Sequence, residues 1–270
     1  MTASFIQPHQ LKTAVLLLVF NRLQTTQKVF EAIRQAKPPR LYVASDGPRD
    51  SHEGDSEKIR AVREHVLSNI DWDCDVKTLF REKNLGCKYA PHGGIQWFFE
   101  NEEMGIILED DCVPSQSFFW FCEELLDKYK TDKRIMLISG YNKRDTWNPN
   151  QYDYFFSLLG GIWGWASWRR AWQFCDLEMN NLQEFMAGNY FYHLFGDKLG
   201  KIREKQMVNC PNTTWDFPWG LSRHVHSGLA CVPSKSLIKN IGFGEDATHT
   251  KGATDTVNYH EIDFPLDENR

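Results

Sequence analysis

Three consecutive carboxylates end an apolar segment near the middle of the chain. The apolar segment covers residues 105–108, and Glu109, Asp110 and Asp111 follow it directly. Apolar or small residues before a turn are typical of a buried central strand, and open α/β sheets bind ligands at the carboxyl ends of such strands. Because adjacent anions repel one another, we expect a divalent cation or a hydroxyl-rich ligand to share this position. The alternative, a solvated acidic turn, is disfavoured by the strand before the acids and the aromatic helix predicted after them at 115–130.

Two further polar side chains follow predicted strands in the first half of the chain. Arg22 comes after a strand predicted at 14–20, and Asp46 after a strand predicted at Arg40–Ser45. Since parallel strands place their carboxyl ends at one sheet edge, both side chains should lie near the acidic triplet. Arginine suits a diphosphate, and aspartate accepts hydrogen bonds from a base or a sugar hydroxyl. Together they predict a nucleotide site, although singly Arg22 is explained as a surface charge and Asp46 as a turn residue before glycine.

The elements that must position these residues alternate between apolar runs and amphipathic segments. Strands are predicted at 14–20, 40–45, 76–80, 105–108 and 134–139, and helices at 25–35, 55–69, 89–101 and 115–130. A helical, aromatic-rich stretch at 176–206 follows, in which Lys201 to Lys205 is expected to form a solvated face. This alternation predicts an α/β fold with a Rossmann-like, mostly parallel sheet flanked by helices, because crossovers between parallel strands are right-handed.

The second half of the chain contains candidate residues with two explanations each. Trp163 and Trp165 alternate with glycines and could form a platform for a sugar ring or pack in the core. Asp216 is a lone acid among aromatic residues, which suits either a helix N-cap or a partly desolvated carboxylate for proton transfer. The glycine-punctuated segment 240–250 could be a lid over a bound donor or part of a disordered terminus.

Composition and charge exclude several classes of protein. The 270 residues are 41% hydrophobic and 14% aromatic, which is enough for a sizeable core. A net charge of −5, a pI near 6.0 and the lack of a basic run argue against a nucleic-acid partner. The apolar stretch 14–20 is too short to span a bilayer and lacks the flanks of a signal peptide. We therefore expect a cytoplasmic protein without a transmembrane segment, with peripheral contact to the cytoplasmic face of a membrane left open.

Motifs of other chemistries are missing from the sequence. Neither a G-x-x-x-x-G-K-[ST] loop nor a G-x-G-x-x-G turn follows the first predicted strand, so P-loop and dinucleotide-binding folds lose their main support. Seven scattered cysteines without a C-x-x-C pair indicate reduced thiols and neither a disulfide framework nor a zinc site.

In the order of these motifs the chain resembles glycosyltransferases of the GT-A type, and most closely the N-acetylglucosaminyltransferase I group. That resemblance implies a metal-dependent, inverting hexosyltransferase that uses UDP-N-acetylglucosamine. The family's Glu-Asp-Asp motif matches Glu109, Asp110 and Asp111: the last acid would bind Mn²⁺ or Mg²⁺, and the first two would contact the donor's sugar and ribose. Arg22 and Asp46 would contact the donor phosphate and uracil.

Three further motifs extend the resemblance along the chain. A lysine-x-alanine-x-histidine pattern matches residues 88–92 and would place His92 near the nucleotide, although Pro91 and the glycines after it depart from the family's continuous helix. A Trp-Asp motif would make Asp216 the catalytic base, and here Phe217 replaces the second acid of the family. A late Gly-Phe-Gly stretch ending in His249 would correspond to a loop ordered by the donor.

The sequence therefore predicts a single domain over 1–250 with a polar tail at 251–270. Its nucleotide-binding half would cover about 12–113 and its acceptor half about 114–250. The leading hypothesis is a metal-dependent transferase that moves a sugar from a UDP-sugar to a glycan or other hydroxyl acceptor. Two alternatives stay open, namely a sugar-phosphate nucleotidyltransferase and a non-catalytic sugar-binding module. The first usually needs a glycine-rich, basic loop after strand one, which residues 21–24 do not supply.

Overall fold

The computed structural model of the chain describes residues 5–147, 152–210, 213–243 and 257–266. Within these ranges the strands are β1 (Val15–Val19), β2 (Arg40–Ser45), β3 (Asp75–Phe80), β4 (Met104–Glu109), β5 (Cys112–Pro114), β6 (Ile135–Ser139), β7 (Tyr154–Ser157), β8 (Trp165–Trp168), β9 (Leu229–Pro233) and β10 (Ile238–Asn240). The helices are α1 (Leu23–Ala36), α2 (Asp55–Ser68), α3 (Gly86–Asn101), α4 (Ser117–Lys128), α5 (Arg169–Trp172), α6 (Leu182–Ala187), α7 (Tyr190–Val208) and α8 (Asp216–Val225).

Eight strands form one mixed sheet in the order β3-β2-β1-β4-β8-β6-β9-β7. The first four of these are mutually parallel, and β8 runs antiparallel between β4 and β6. β9 is parallel to β6, whereas β7 is antiparallel to β9 at the sheet edge. β1, β2, β3, β4, β6 and β9 thus share one direction. The predicted α/β class with a mostly parallel sheet is confirmed, and a separate two-stranded sheet pairs β5 with β10.

Helices cover both faces of the sheet, as β1 illustrates. Its residues Val15, Leu17 and Val19 pack with α1, α2 and α4 in one core. Leu16 and Leu18 point to the other face and pack with α3, α5 and α8. A strand covered on both faces has to be a continuous apolar run, which is the pattern that made β1 recognisable.

Helix α3 is continuous, although the sequence raised doubt about it. It includes Pro91 and two glycines and still runs from Gly86 to Asn101. Gly94 allows the helix to approach the sheet closely, since an added Cβ would lie 3.0 Å from side-chain atoms of Ala44 and Leu18. His92 therefore lies on a regular helix, in the second turn of α3.

The second half of the chain contains a small third core between α6, α7 and α8, formed by Phe185, Phe191, Met207 and Leu221. In α7, the expected solvated face is only partly correct. Lys201 and Lys205 are exposed, but Arg203 is turned partly inward. Across the described ranges, none of the helices combines the length and apolar character needed to cross a membrane.

Candidate active site

The carboxyl ends of β1, β2 and β4 meet at one edge of the sheet, as the sequence predicted. The register pairs Val19 of β1 with Ser45 of β2, and Leu18 with Glu109 of β4. The residues that follow these strands are therefore neighbours in space. Arg22 shows this directly, because its guanidinium bridges from the end of β1 to the acids after β4.

Arg22 forms ion pairs with two of the three acids. Its Nη2 donates a short hydrogen bond to Asp110 Oδ1, and its Nη1 lies 3.0 Å from Asp111 Oδ2. Burial by itself would lower the pKa of Arg22, but the charges of Asp110 and Asp111 outweigh burial and raise it. The guanidinium is thus a permanent cation that holds both carboxylates in place.

One arginine does not balance the charge of this region. Burial, followed by the charges of Asp111, Asp110 and Asp216, raises the pKa of Glu109 well above its usual range. For Asp110, burial raises the pKa to about 6 against the opposing effect of Arg22. The carboxyl groups therefore repel one another in a poorly solvated place, which favours either protonation or an added cation.

Two carboxyl oxygens in this region have no hydrogen-bond partner among the described residues. They are Glu109 Oε1 and Asp110 Oδ2, and both are buried. A buried polar atom without a partner costs free energy, so native proteins rarely keep one unless a ligand, an ion or water completes it. The edge of β4 is therefore suited to receive hydroxyl donors or a cation.

The residues present fit a hard divalent cation. Across the described ranges, no three His, Cys, Asp or Glu side chains form a group able to hold a metal alone. Mg²⁺ and similar ions nevertheless bind through one or two carboxylates when substrate phosphates and water supply the remaining ligands. Asp111 is more accessible than Asp110, with 14% of its side chain exposed against 5%.

The segment after β10 packs against Asp111. The Ile241 N–H donates to the Asp111 carbonyl over 2.8 Å, and the Gly242 N–H donates to Asn240 Oδ1 over 2.7 Å. Gly242 approaches so closely that an added Cβ would collide with the Asp111 carboxylate. Sequence reasoning missed this glycine's role, because the contact depends on the β5–β10 pairing between segments far apart in the chain.

Asp216 approaches the acids from the second half of the chain. It is the first residue of α8, and the N-cap is Trp215, without a side-chain capping hydrogen bond. The N-cap explanation of Asp216 is therefore wrong. Its negative charge acts on both Glu109 and Cys87, so the Asp216 carboxylate lies near the triplet. Burial and the charges of Glu109 and Asp216 raise the pKa of the Cys87 thiol to about 12.

A cluster of four tryptophans holds the start of α8 in this position. Trp165 of β8 pairs with Ile107 of β4 and stacks on Trp215 with ring centroids 5.8 Å apart. Trp172 and Trp219 complete the cluster. Trp165 has no exposed surface, so it belongs to the core and cannot offer a face to a sugar. Its observed contacts instead connect β4 to the residue before Asp216.

The other candidates differ in their surroundings. Trp163 is partly exposed, and its ring centroid lies 4.5 Å from that of Tyr141 and 5.6 Å from that of Phe243, near the acidic edge. The His92 ring lies 5.4 Å from Trp172, and burial followed by the charge of Lys88 lowers its pKa. The predicted lid residue His249, together with most of the glycine-punctuated segment, lies outside the described residues.

Asp46 lies at the same sheet edge, and its carboxylate is already hydrogen-bonded to the backbone. It is 8% exposed, and its carboxylate accepts hydrogen bonds from the backbone N–H groups of Gly47, Leu85 and Gly86 at 2.9–3.0 Å. These bonds tie the loop after β2 to the start of α3. Asp46 therefore fixes the wall of the crevice, whatever else it contacts there.

No family model matches the chain, and no curated protein matches its sequence. Among solved structures it is similar to the mannosyltransferase PcManGT from Pyrobaculum calidifontis, determined with GDP-Man and Mn²⁺, at 9% identity and a TM-score of 0.40 over 82% of this chain and 74% of that one. S. aureus TarS (1–349) is 10% identical, with a TM-score of 0.44, and the similarity covers 84% of this chain and 59% of that one. Mouse xyloside xylosyltransferase 1 is 11% identical, with a TM-score of 0.44, and the similarity covers 80% of this chain and 83% of that one. Similarities at this level do not establish activity, which has to be argued from the residues of the site.

Proposed function

We propose that the chain is a metal-dependent, inverting glycosyltransferase that moves a sugar from a UDP-sugar to a hydroxyl acceptor. One observation supports this most: Asp216 of the acceptor half lies in one crevice with an acid triplet whose Glu109 and Asp110 each keep an unpartnered buried oxygen. The crevice thus has a set of acids to hold a donor and one separate carboxylate to act on an acceptor. UDP-N-acetylglucosamine is the first donor to test.

Each side chain has a definite task in this proposal. Asp111 would hold the divalent cation, which when bound supplies Lewis-acid stabilisation of the departing diphosphate. The buried oxygens of Glu109 and Asp110 would accept hydrogen bonds from donor hydroxyls. Arg22 keeps Asp110 and Asp111 in place and adds a positive charge beside the diphosphate. Trp163, which is partly exposed, would serve as an acceptor platform.

Asp216 would take the proton of the acceptor hydroxyl. A single displacement inverts the anomeric carbon and needs one base on the side opposite the leaving group. Asp216 suits this task because it belongs to a different element from the triplet and is held by the tryptophan cluster. His92, whose pKa is lowered by burial, lies against Trp172 of that cluster, and Asp46 would shape the nucleotide side of the crevice.

The experiment that tests this proposal is a product assay with a panel of nucleotide sugars and Mn²⁺. Sustained release of UDP together with a glycosylated acceptor of inverted configuration is the expected result. Release of pyrophosphate would replace the proposal with a nucleotidyltransferase. Saturable sugar binding without any turnover would replace it with a binding module.

A further inference from the structure

Helices α7 and α8 bring three basic side chains together in the acceptor half. These are Arg203, Arg223 and His224, which we call the basic cluster. Phe195 lies between two of them: its ring centroid is 5.0 Å from the His224 ring and 5.9 Å from the guanidinium carbon of Arg203. Arg223 is the chain neighbour of His224. The cluster is separate from the acid triplet and has no part in the transfer chemistry derived above.

Several polar atoms of the basic cluster are buried and lack partners, although Arg203 Nη1 donates to Gln206 Oε1 over 3.0 Å. Arg223 and His224 are each 2% exposed. Four nitrogen atoms of the cluster have no hydrogen-bond partner within the described part of the chain. They are Nε and Nη1 of Arg223, Nε of Arg203 and Nδ1 of His224. Four unpartnered nitrogens on three adjacent side chains are far from the usual pattern, in which nearly all buried polar groups are hydrogen-bonded.

The charges in the basic cluster are also unbalanced. Burial and then Arg203 lower the pKa of Arg223 to about 10, and no acid among the described residues acts against them. Burial, Arg223 and Arg203 lower the pKa of His224 to about 3, so its ring is neutral. The charge of Arg203 therefore acts on the buried Arg223, and no carboxylate among the described residues offsets it. Buried charges are normally paired, and an unpaired one is strongly destabilising.

The position of the basic cluster relative to Asp216 suggests what would pair with it. Arg223 follows Asp216 by seven residues in α8, which places both on one face of the helix, roughly 10 Å apart along its axis. Arg223 Nη1 lies beside the partly exposed Gly160, where an added Cβ would come within 3.7 Å of it. The segment 160–163 then leads to Trp163 at the acidic edge. The basic cluster thus lies on the same side of α8 as Asp216, and Gly160 is a partly exposed residue beside it.

We propose that the basic cluster binds an oxyanion group, a phosphate or a carboxylate, of the acceptor. Guanidinium groups match such oxyanions with paired N–H donors, and the unpartnered nitrogens of Arg223 and Arg203 supply them. The anion completes the hydrogen bonds and balances the charge of the cluster. The assignment to the acceptor rests on the proposed glycosyl transfer, whereas binding of the anion itself does not.

Binding is tested first, without nucleotide or metal, by calorimetric titration of the full chain with inorganic phosphate. Arg223→Met and Arg203→Gln should each weaken phosphate binding by at least about tenfold, the value of one hydrogen bond to a charged group. Arg134→Gln serves as the matched control, because Arg134 is exposed and pairs with Asp132. Arg22→Met excludes binding at the donor site. Arg203 is only partly buried, so its variant keeps the test valid if Arg223→Met does not fold.

Transfer is tested second, with a sugar phosphate, the matching uronic acid and the matching neutral sugar as acceptors. The wild-type chain should prefer one of the two anionic acceptors, which identifies the oxyanion, and Arg203→Gln should lose that preference. Retained phosphate affinity in both cluster variants, or equal use of neutral and anionic acceptors, would overturn the proposal. If phosphate binds as expected but no acceptor is glycosylated, the anion site stands and the proposed transferase activity fails.

Discussion

Replacing Asp216 by asparagine separates its proposed catalytic role from any structural one. Asparagine keeps the size and hydrogen-bonding geometry of the side chain but cannot accept the acceptor's proton. Asp216 makes no capping hydrogen bond at the start of α8, so the substitution breaks no bond that the helix needs. The fold should therefore tolerate the change.

The contacts of Asp216 give the expected magnitudes. An acid in the first turn of a helix gains about 0.3–1 kcal/mol from the helix dipole, and Asp216→Asn loses this. The loss is offset because Asp216 repels the buried Glu109 carboxyl. The net change in the free energy of unfolding should thus stay below about 1 kcal/mol. Loss of a general base, in contrast, should slow transfer by about 10²–10⁴-fold, or about 2.7–5.4 kcal/mol of barrier.

The assay measures three quantities on one preparation. Urea unfolding gives stability, calorimetry gives UDP affinity in the presence of Mn²⁺, and single-turnover transfer gives the rate of chemistry. We expect the first two to match the wild-type values and the third to fall. Glu184→Gln is the matched control, because Glu184 is also a first-turn acid but lies on α6 outside the crevice.

Near-normal single-turnover transfer by Asp216→Asn would refute the assignment. The base would then have to be another acid, and the next candidates in the sequence, Glu245 and Asp246, lie outside the described residues. A large loss of stability would instead show that Asp216 has a structural role that its contacts do not reveal.

Three other substitutions test the surroundings of Asp216. Asp111→Asn should abolish the Mn²⁺ dependence of UDP affinity in calorimetry, and an unchanged dependence would remove the metal assignment. Asp46→Ala should lower the free energy of urea unfolding by at least about 1.5–3 kcal/mol, because its carboxylate accepts three backbone N–H groups. Trp165→Ala should lower the free energy of unfolding by about 3–5 kcal/mol and slow turnover more than it weakens UDP binding. Equal losses in rate and affinity would show that Trp165 does not position Asp216.

The sequence predicted the sheet edge well because that prediction needs only local information. Apolar runs such as β1 and β4 are buried on both faces, and the acids or arginine at their ends interrupt the pattern sharply. Parallel pairing then places Arg22 beside Asp110 without knowledge of any side-chain contact. The same local reasoning predicted the position of the first helices to within a few residues.

Side-chain environments in the second half were less predictable, because they depend on which elements pack together. A tryptophan between glycines is equally compatible with a core and with a surface platform, and only the pairing of β8 with β4 places Trp165 inside. Arg203 belongs to a charged stretch of α7 that looks solvated, yet it is partly buried and lies over the Phe195 ring. The helical periodicity of α7 and α8 does not indicate that Arg203 and Arg223 lack a carboxylate partner.

The two halves of the chain show opposite imbalances of charge. At the end of β4, Glu109, Asp110 and Asp111 interact with the single guanidinium of Arg22, and Asp216 adds a fourth negative charge that acts on Glu109. In the basic cluster, two guanidinium groups have no carboxylate among the described residues. Neither imbalance relieves the other, because α8 separates Asp216 from Arg223 by two helical turns. A ligand set with a cation at one end and an anion at the other would balance both, and a metal-bound donor with an anionic acceptor has that distribution of charge.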